Sequence, residues 1–309
     1  MKLGVVMDPI LSIQYHKDST LAMLWEAQSR HWEIYYFELQ DLFLRDGVAY
    51  GDARRLAVFH DPHTWFKWEE KKTIILTELD IILMRKDPPF NDEYIYTTYL
   101  LDYAERGGVR VINKPQSLRD ANEKVFSMYF PACCPPSLVT RSIEKLHTFF
   151  KEHHDIVCKP LHSMGGKLVF RLHEHDANAN VIFDTLTNGG MQHVMAQRFI
   201  PEIKQGDKRI LMINGEPVHH VLARMPQPKD WRGNLAVGAK GEVRPLSARD
   251  HFICSQVGPE LRARGLYFVG LDVIGDYLTE INVTSPTGIR EIEAETGLNI
   301  SAMLFDSVI

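Results

Sequence analysis

Short, unbroken apolar runs alternate with amphipathic stretches through the first 120 residues. Residues 2–7 form one such run, Ile34-Tyr35-Tyr36-Phe37 a second, Leu79 to Met84 a third and Val109-Arg110-Val111-Ile112 a fourth, and each predicts a strand. Asp18-Ser19-Thr20 can cap a helix that runs to about Arg30, and Tyr94 to Arg106 predicts a second helix, stopped by Gly107-Gly108. Ser117-Leu118-Arg119-Asp120 reads as another helix start, with an acid three positions after the cap. Apolar strands alternating with helices predict an α/β unit whose parallel sheet is covered on both faces. No GxGxxG follows the first strand, so dinucleotide binding has little support.

Beyond about residue 120 the pattern changes to strand pairs. Ile156 to Leu161 and Lys167 to Leu172 flank Ser163-Met164-Gly165-Gly166, and a helix over about 177–187 leads to the strand Val194 to Ile200. Arg209 to Ile213 and Pro217 to Arg224 flank Asn214-Gly215, a strong short hairpin signal. Residues 226–241 read as a loop and 247–264 as a helix. Phe268 to Ile274 and Leu278 to Val283 then form a pair across a Gly275-Asp276 turn. Antiparallel pairs with interspersed helices predict α+β for this half.

Length and charge narrow the picture. A chain of 309 residues fits about two domains and can bury a core without metal or disulfide staples. The formal charge of −5 argues against non-specific nucleic-acid binding, which needs a basic footprint. The N-terminal apolar run is too short for a signal peptide, and no run of about 18 apolar residues predicts a membrane span. Cys133, Cys134, Cys158 and Cys254 include no CxxC spacing, so a zinc site is not expected and a reducing cytoplasm fits.

The most informative chemistry lies near the C-terminus. Glu280 and Asn282 are two apart on a strand and point to one face, and Asp272 lies on the preceding strand. These are three oxygen donors of the kind Mg²⁺ takes. A two-residue turn at 275–276 pairs Asp272 with Thr279, whereas a three-residue loop over 275–277 pairs it with Glu280. Acids on hairpins are most often solvated. These differ in sitting within apolar runs, where a charge is costly to bury without a counter-charge. Lys124 follows a helix start, Lys159 lies inside a strand, and Gly165-Gly166 can bring backbone N–H groups close to phosphate oxygens. The loop is not a P-loop, because Leu161 and Leu168 stand where Gly and Ser/Thr are needed. Arg85, Arg209, Arg224, Arg232 and Arg290 line the candidate cleft, which in an acidic chain makes sense if an anion is held.

At these residues a family resemblance enters. Leu83-Met84-Arg85-Lys86-Asp87-Pro88-Pro89-Phe90, Asn113-Lys114-Pro115-Gln116-Ser117-Leu118-Arg119-Asp120, Gly206-Asp207-Lys208-Arg209 and Thr279-Glu280-Ile281-Asn282-Val283-Thr284-Ser285-Pro286-Thr287 resemble bacterial glutathione synthetase over nearly the whole chain. The resemblance implies a Rossmann-like N-terminal domain (1–120) followed by an ATP-grasp fold, with a central lid (121–200) and a C-terminal antiparallel-sheet domain (201–309). It implies ATP-dependent ligation of γ-glutamylcysteine and glycine through an acyl phosphate, Mg²⁺ or Mn²⁺ as the metal, and a cytoplasmic homotetramer. Carried over by position, Lys124, Lys159, Gly165 and Gly166 would hold ATP phosphates, and Gln197, Phe199 and Ile200 would flank adenine with Asp207 near the ribose. Asp272, Glu280 and Asn282 would bind the metal. Arg209 and Arg232 would be catalytic, while Arg85, Asp87, Arg224, Asn234 and Arg290 would hold the peptide substrate. The segment 225–240 resembles the family's closing loop.

Three features depart from the family. His162-Ser163 replaces Asp-Gly in the small glycine loop. Ala239 and Lys240 stand where Gly and Arg are usual, and the chain stops at Ile309, short of the family's charged helical end, as a shortened chain would.

Overall fold

The computed structural model describes residues 1–226 and 240–309. Three sheets form from strands that are contiguous in sequence. The first unit contains β1 (Lys2–Val6), α1 (Ser19–Ser29), β2 (Glu33–Phe37), β3 (Leu42–Arg45), β4 (Val48–Val58), β5 (Phe66–Ile75), β6 (Ile81–Met84), α2 (Asp92–Arg106), β7 (Arg110–Ile112) and α3 (Pro115–Asp120). Its strand order is β3-β4-β2-β1-β6-β7, with β5 added to β4. The four apolar runs form the expected parallel centre, in which Val5 pairs with Tyr36 on one side and Leu83 on the other. Asp18 caps α1 by accepting from the Leu21 N–H at 2.6 Å.

The sheet is mixed rather than parallel throughout, because β3, β4 and β5 pair antiparallel to their neighbours. These strands escape a reading of apolar runs because β5 is mostly exposed and carries Lys67, Glu69, Glu70, Lys71 and Lys72. Helix α3 begins two residues before the expected Ser117, with Pro115 in its first turn. Proline fits there because its missing N–H has no helical partner at that position.

The second unit is β8 (Ser137–Thr140), α4 (Ile143–His153), β9 (Asp155–Pro160), β10 (Phe170–His173), α5 (Ala179–Thr187) and β11 (Val194–Arg198), with strands ordered β10-β9-β11-β8. It has a small core of its own around Leu146, Ile156, Phe183 and Val194. The third unit is β12 (Asp207–Ile213), β13 (Glu216–Met225), β14 (Lys240–Pro245), α6 (Ala248–Ala263), β15 (Phe268–Ile274), β16 (Tyr277–Asn282), α7 (Ile289–Thr296) and α8 (Ile300–Val308), with strands ordered β14-β13-β12-β15-β16. The segment expected as loop to 241 therefore ends in strand at Lys240, which pairs with Met225.

The first and third units share their cores. Val6, Phe37 and Met84 cluster with Ile210, Val221 and Val269, and Leu3, Tyr36 and Leu83 cluster with Leu211, Phe268 and Phe305. The second unit stands on its separate core. Residues 121–134 close the β16 edge: Ile281 N–H donates to the Glu123 carbonyl at 2.8 Å and Leu278 N–H to the Cys133 carbonyl at 2.8 Å.

Burial pushes the thiols of Cys158 and Cys254 up to about 12 and that of Cys134 to about 11. Thiolates are the reactive form, so an aromatic disulfide reagent at neutral pH should label well under one thiol per native chain within minutes. In denaturant it should label all four. Rapid labelling of the native chain would contradict this burial.

Candidate active site

The site is built on the register of three strands in the third unit. Strand β12 pairs Asp207 with Arg224 of β13 and Arg209 with Asp272 of β15, and β15 pairs Asp272 with Glu280 of β16. The hairpin reaches this last pairing by a route neither sequence alternative contained. Gly275-Asp276 is a two-residue turn, closed by Ile274 opposite Tyr277 and Val273 opposite Leu278. A β-bulge between Asp272 and Val273 then shifts the register by one residue. Gly275 has φ +54°, a conformation that glycine adopts without strain.

Charge follows from that register. Arg209 grips Asp272 with Nε at 2.6 Å and Nη2 at 3.2 Å, and Arg224 Nη2 reaches Asp272 at 3.0 Å and Asp207 at 2.5 Å. A Cβ on Gly270 would sit 2.8 Å from Arg209 Cδ, so glycine is what lets the arginine lie across the strand. Burial pushes the Asp272 carboxyl up, but the two guanidiniums overcome it and hold the group well below its usual range. Asp207 lies on the losing side of the same balance. Burial raises it to about 6, and its buried Oδ1 has no hydrogen-bond partner. Burial likewise opposes ionisation of Glu280, and Lys124 and Lys159 reverse the effect. Lys159 Nζ is 3.2 Å and Lys124 Nζ 3.7 Å from Glu280 Oε1.

Two cavities meet at Asp272, Glu280 and the Ser163–Gly165 loop. The first lies between the second and third units. It is lined by Lys124, Lys159, Gly165, Gly166, Gln197, Phe199, Ile200 and Asp207, so the structure brings all of the sequence-predicted nucleotide residues together. Gly165 and Gly166 have φ values of +62° and +75°, as a loop presenting backbone N–H groups requires. Arg198, missed by sequence reasoning, also lines this cavity and donates to the Tyr277 hydroxyl at 3.0 Å.

The second cavity, a wider lobe, is lined by Arg85, Asp87, Arg209, Arg224 and Asn282. Arg85 is buried there, donating to Thr20 Oγ1 at 3.1 Å and to the Pro286 carbonyl at 2.9 Å. Of the expected cleft arginines, Arg290 does not itself line the lobe, although its charge acts on Glu291, which does. Its guanidinium lies over the rings of Trp25 (4.4 Å) and Tyr15 (5.7 Å) and donates to the Tyr15 carbonyl at 2.9 Å. It thereby braces the 9–17 segment, whose Ser12, Ile13 and Gln14 form part of the wall. Glu123 was also missed. It lines the lobe, and its Oε1 accepts from the N–H groups of Val283 and Thr284 and from the Thr284 hydroxyl. No spacing in the sequence distinguishes it from any other glutamate. The expectations for Arg232, Asn234 and most of the closing loop at 226–241 lie outside the described residues.

The donor set fits a hard divalent cation. Asp272 and Glu280 stand opposite each other and are both held ionised. Asn282 Nδ2 donates to the Gly270 carbonyl at 3.2 Å, which fixes the amide and leaves Oδ1 as its acceptor. All three donors are oxygens, without thiolate or imidazole, which suits Mg²⁺-like ions over zinc or copper.

A mixed α/β unit, a four-stranded unit with its own core and a five-stranded antiparallel sheet are the layout of the ATP-grasp fold. The solved structure of the D-cycloserine synthetase DcsG matches the whole chain at TM-score 0.69 with 13% identity and full coverage of both chains. A RimK domain ATP-grasp protein from Sphaerobacter thermophilus matches at TM-score 0.65 with 15% identity, again over both full chains. These likenesses show the fold alone. Family models go further: prokaryotic glutathione synthetase matches residues 1–119 by its N-terminal domain and 123–297 by its ATP-grasp domain. The glutathione synthetase of Pseudomonas aeruginosa is 56% identical over 308 residues, covering 100% of this chain and 97% of the relative. That of Vibrio vulnificus is 54% identical with the same coverage. The chain belongs to the prokaryotic glutathione synthetase family.

Proposed function

We propose that this ligase joins γ-glutamylcysteine to glycine, releasing ADP and phosphate. The observation that supports it best is the meeting of a nucleotide cavity and the wider lobe at Asp272 and Glu280. A carboxylate in the second cavity can there approach a γ-phosphate held in the first. The cysteinyl carboxylate oxygen attacks the γ-phosphorus, the bond to the β-phosphate oxygen breaks, and ADP leaves. Glycine's amine then attacks the acyl carbon, loses a proton and displaces phosphate.

No residue of the chain needs to act as a nucleophile. Lys124, Lys159 and the Gly165-Gly166 N–H groups neutralise and orient the polyphosphate, which is most of what phosphoryl transfer requires. Arg209 and Arg224 keep positive charge beside the attacking carboxylate. Asp272, Glu280 and Asn282 would hold Mg²⁺ or Mn²⁺, which supplies further charge neutralisation on the phosphoryl oxygens. The reading carries with it a cytoplasmic homotetramer; the structure itself contributes that no helix among the described residues is long and apolar enough to cross a membrane.

Other ATP-grasp ligases use different acceptors, so the test is a panel of amino acids offered with γ-glutamylcysteine and ATP, read by mass spectrometry. Glutathione from glycine at a rate at least about tenfold above any other amino acid is expected, the discrimination a small, snug pocket gives. Equal or faster product formation with another acceptor would overturn the assignment.

A further inference from the structure

The second lobe contains one carboxylate whose environment is unlike the rest. Among the described residues lining it, Asp272 and Glu280 have arginine and lysine partners, and Asp8 pairs with Lys86 at 2.8 Å. Asp18 caps α1, Glu123 holds Val283 and Thr284, and Asp87 stands exposed to solvent. Glu291 differs: its Oε2 is buried and has no hydrogen-bond partner. Burial pushes its carboxyl above the usual range, as it does those of Asp18 and Glu123, so the orphaned oxygen is what sets Glu291 apart.

Glu291 sits in the first turn of α7, on a wall formed where α7 meets α1. Ile289 N–H donates to Ser19 Oγ at 3.3 Å, which fixes the two helices together. This wall is separate from the β15–β16 strands that carry the phosphate-facing carboxylates. Lys17 lines the same wall, and its charge, with those of Arg290 and Arg209, favours the ionised carboxylate without supplying Oε2 with a hydrogen bond. The wall therefore presents cationic side chains beside a carboxylate oxygen that has no hydrogen-bond donor of its own.

That combination complements an amino-acid head group bearing both an ammonium and a carboxylate. The γ-glutamyl end of the donor is such a head group, at the opposite end of the molecule from the reacting cysteinyl carboxylate. We propose that Glu291 receives the α-ammonium of the γ-glutamyl donor and so makes the enzyme select donors with a free α-amino group. This rests on the functional reading above. A carboxylate left without a donor in a cleft is costly, and an arriving ammonium satisfies it with a charge-assisted bond.

The test compares γ-glutamylcysteine with glutarylcysteine, the same molecule lacking the α-amino group, on wild type and Glu291→Gln. In wild type, γ-glutamylcysteine is expected to have the lower KM by about 10- to 100-fold. Glu291→Gln should raise its KM by a similar factor, with kcat within about threefold, and leave the KM of glutarylcysteine within about threefold of wild type. Glu291→Asp, which keeps the charge on a shorter arm, should fall between the two and serves as the probe if the glutamine variant does not fold. Equal losses with both donors, or an undiminished preference in the variants, would overturn the assignment of Glu291 and leave the ligase reading intact. Absence of ligation by wild type with γ-glutamylcysteine and glycine would contradict the functional reading itself, and this one with it.

Discussion

Glu280→Gln should lower turnover by about 100- to 1000-fold at saturating Mg²⁺, while far-ultraviolet circular dichroism stays that of wild type. The glutamine is nearly isosteric, so the β15–β16 pairing and the bulge that sets it should persist. What disappears is a partly buried negative charge opposite Asp272, held ionised by Lys124 and Lys159. Both lysines would then lack their anionic partner in the free enzyme, and the oxygen donor set would lose half of its formal charge. A kcat within about threefold of wild type, measured by coupled ADP release, would show that Glu280 is not part of the phosphate-facing donor set.

Arg209→Met should unfold more easily than wild type by about 3 kcal/mol or more and should lose at least about 100-fold in kcat/KM. Arg209 is buried and contributes two of the three contacts that keep Asp272 ionised, as well as a bond to the Thr287 carbonyl at 3.2 Å. Removing it leaves a buried carboxylate with Arg224 alone, and that guanidinium is already shared with Asp207. Arg209→Lys restores the charge but not the fork, so it should recover most of the stability and little of the activity. Urea unfolding and steady-state kinetics on the two variants read these effects separately. A methionine variant within about 1 kcal/mol of wild type would mean that the pair contributes little to holding Asp272.

The parts of the fold that were legible in the sequence are those where one physical signal dominates. The four apolar runs of the first sheet and the capped α1 followed directly from strand and helix periodicity. Strands β3–β5 did not: β5 is mostly exposed, and much of what β4 buries is small residues such as Ala49 and Ala53, which give a weak apolar signal. Helices α4, α7 and α8 were not marked either, although α4 carries a Ser142 cap that accepts from the Lys145 N–H at 3.3 Å. At the site, the type and spacing of Glu280 and Asn282 marked a shared face. The pairing of Asp272 with Glu280 depended on a bulge, which no local residue pattern announced. That Arg290 does not itself line the lobe was not legible for a related reason. Its sequence position gives only proximity to the cleft, whereas its direction is fixed by the rings of Trp25 and Tyr15, hundreds of residues away in sequence. Glu123 and Glu291 are visible only once the chain is folded, because their significance lies in what surrounds their oxygens.

The most direct test of the whole account is the stoichiometry of ADP release. With ATP and a divalent metal ion present, rapid ADP formation should require γ-glutamylcysteine and glycine together, with one glutathione formed per ADP. Either substrate alone should support only a small fraction of that rate, because the acyl phosphate is consumed by the glycine amine. ADP release that is equally fast without glycine, or that proceeds without γ-glutamylcysteine, would contradict a ligase acting through Asp272, Glu280 and the two cavities that meet there.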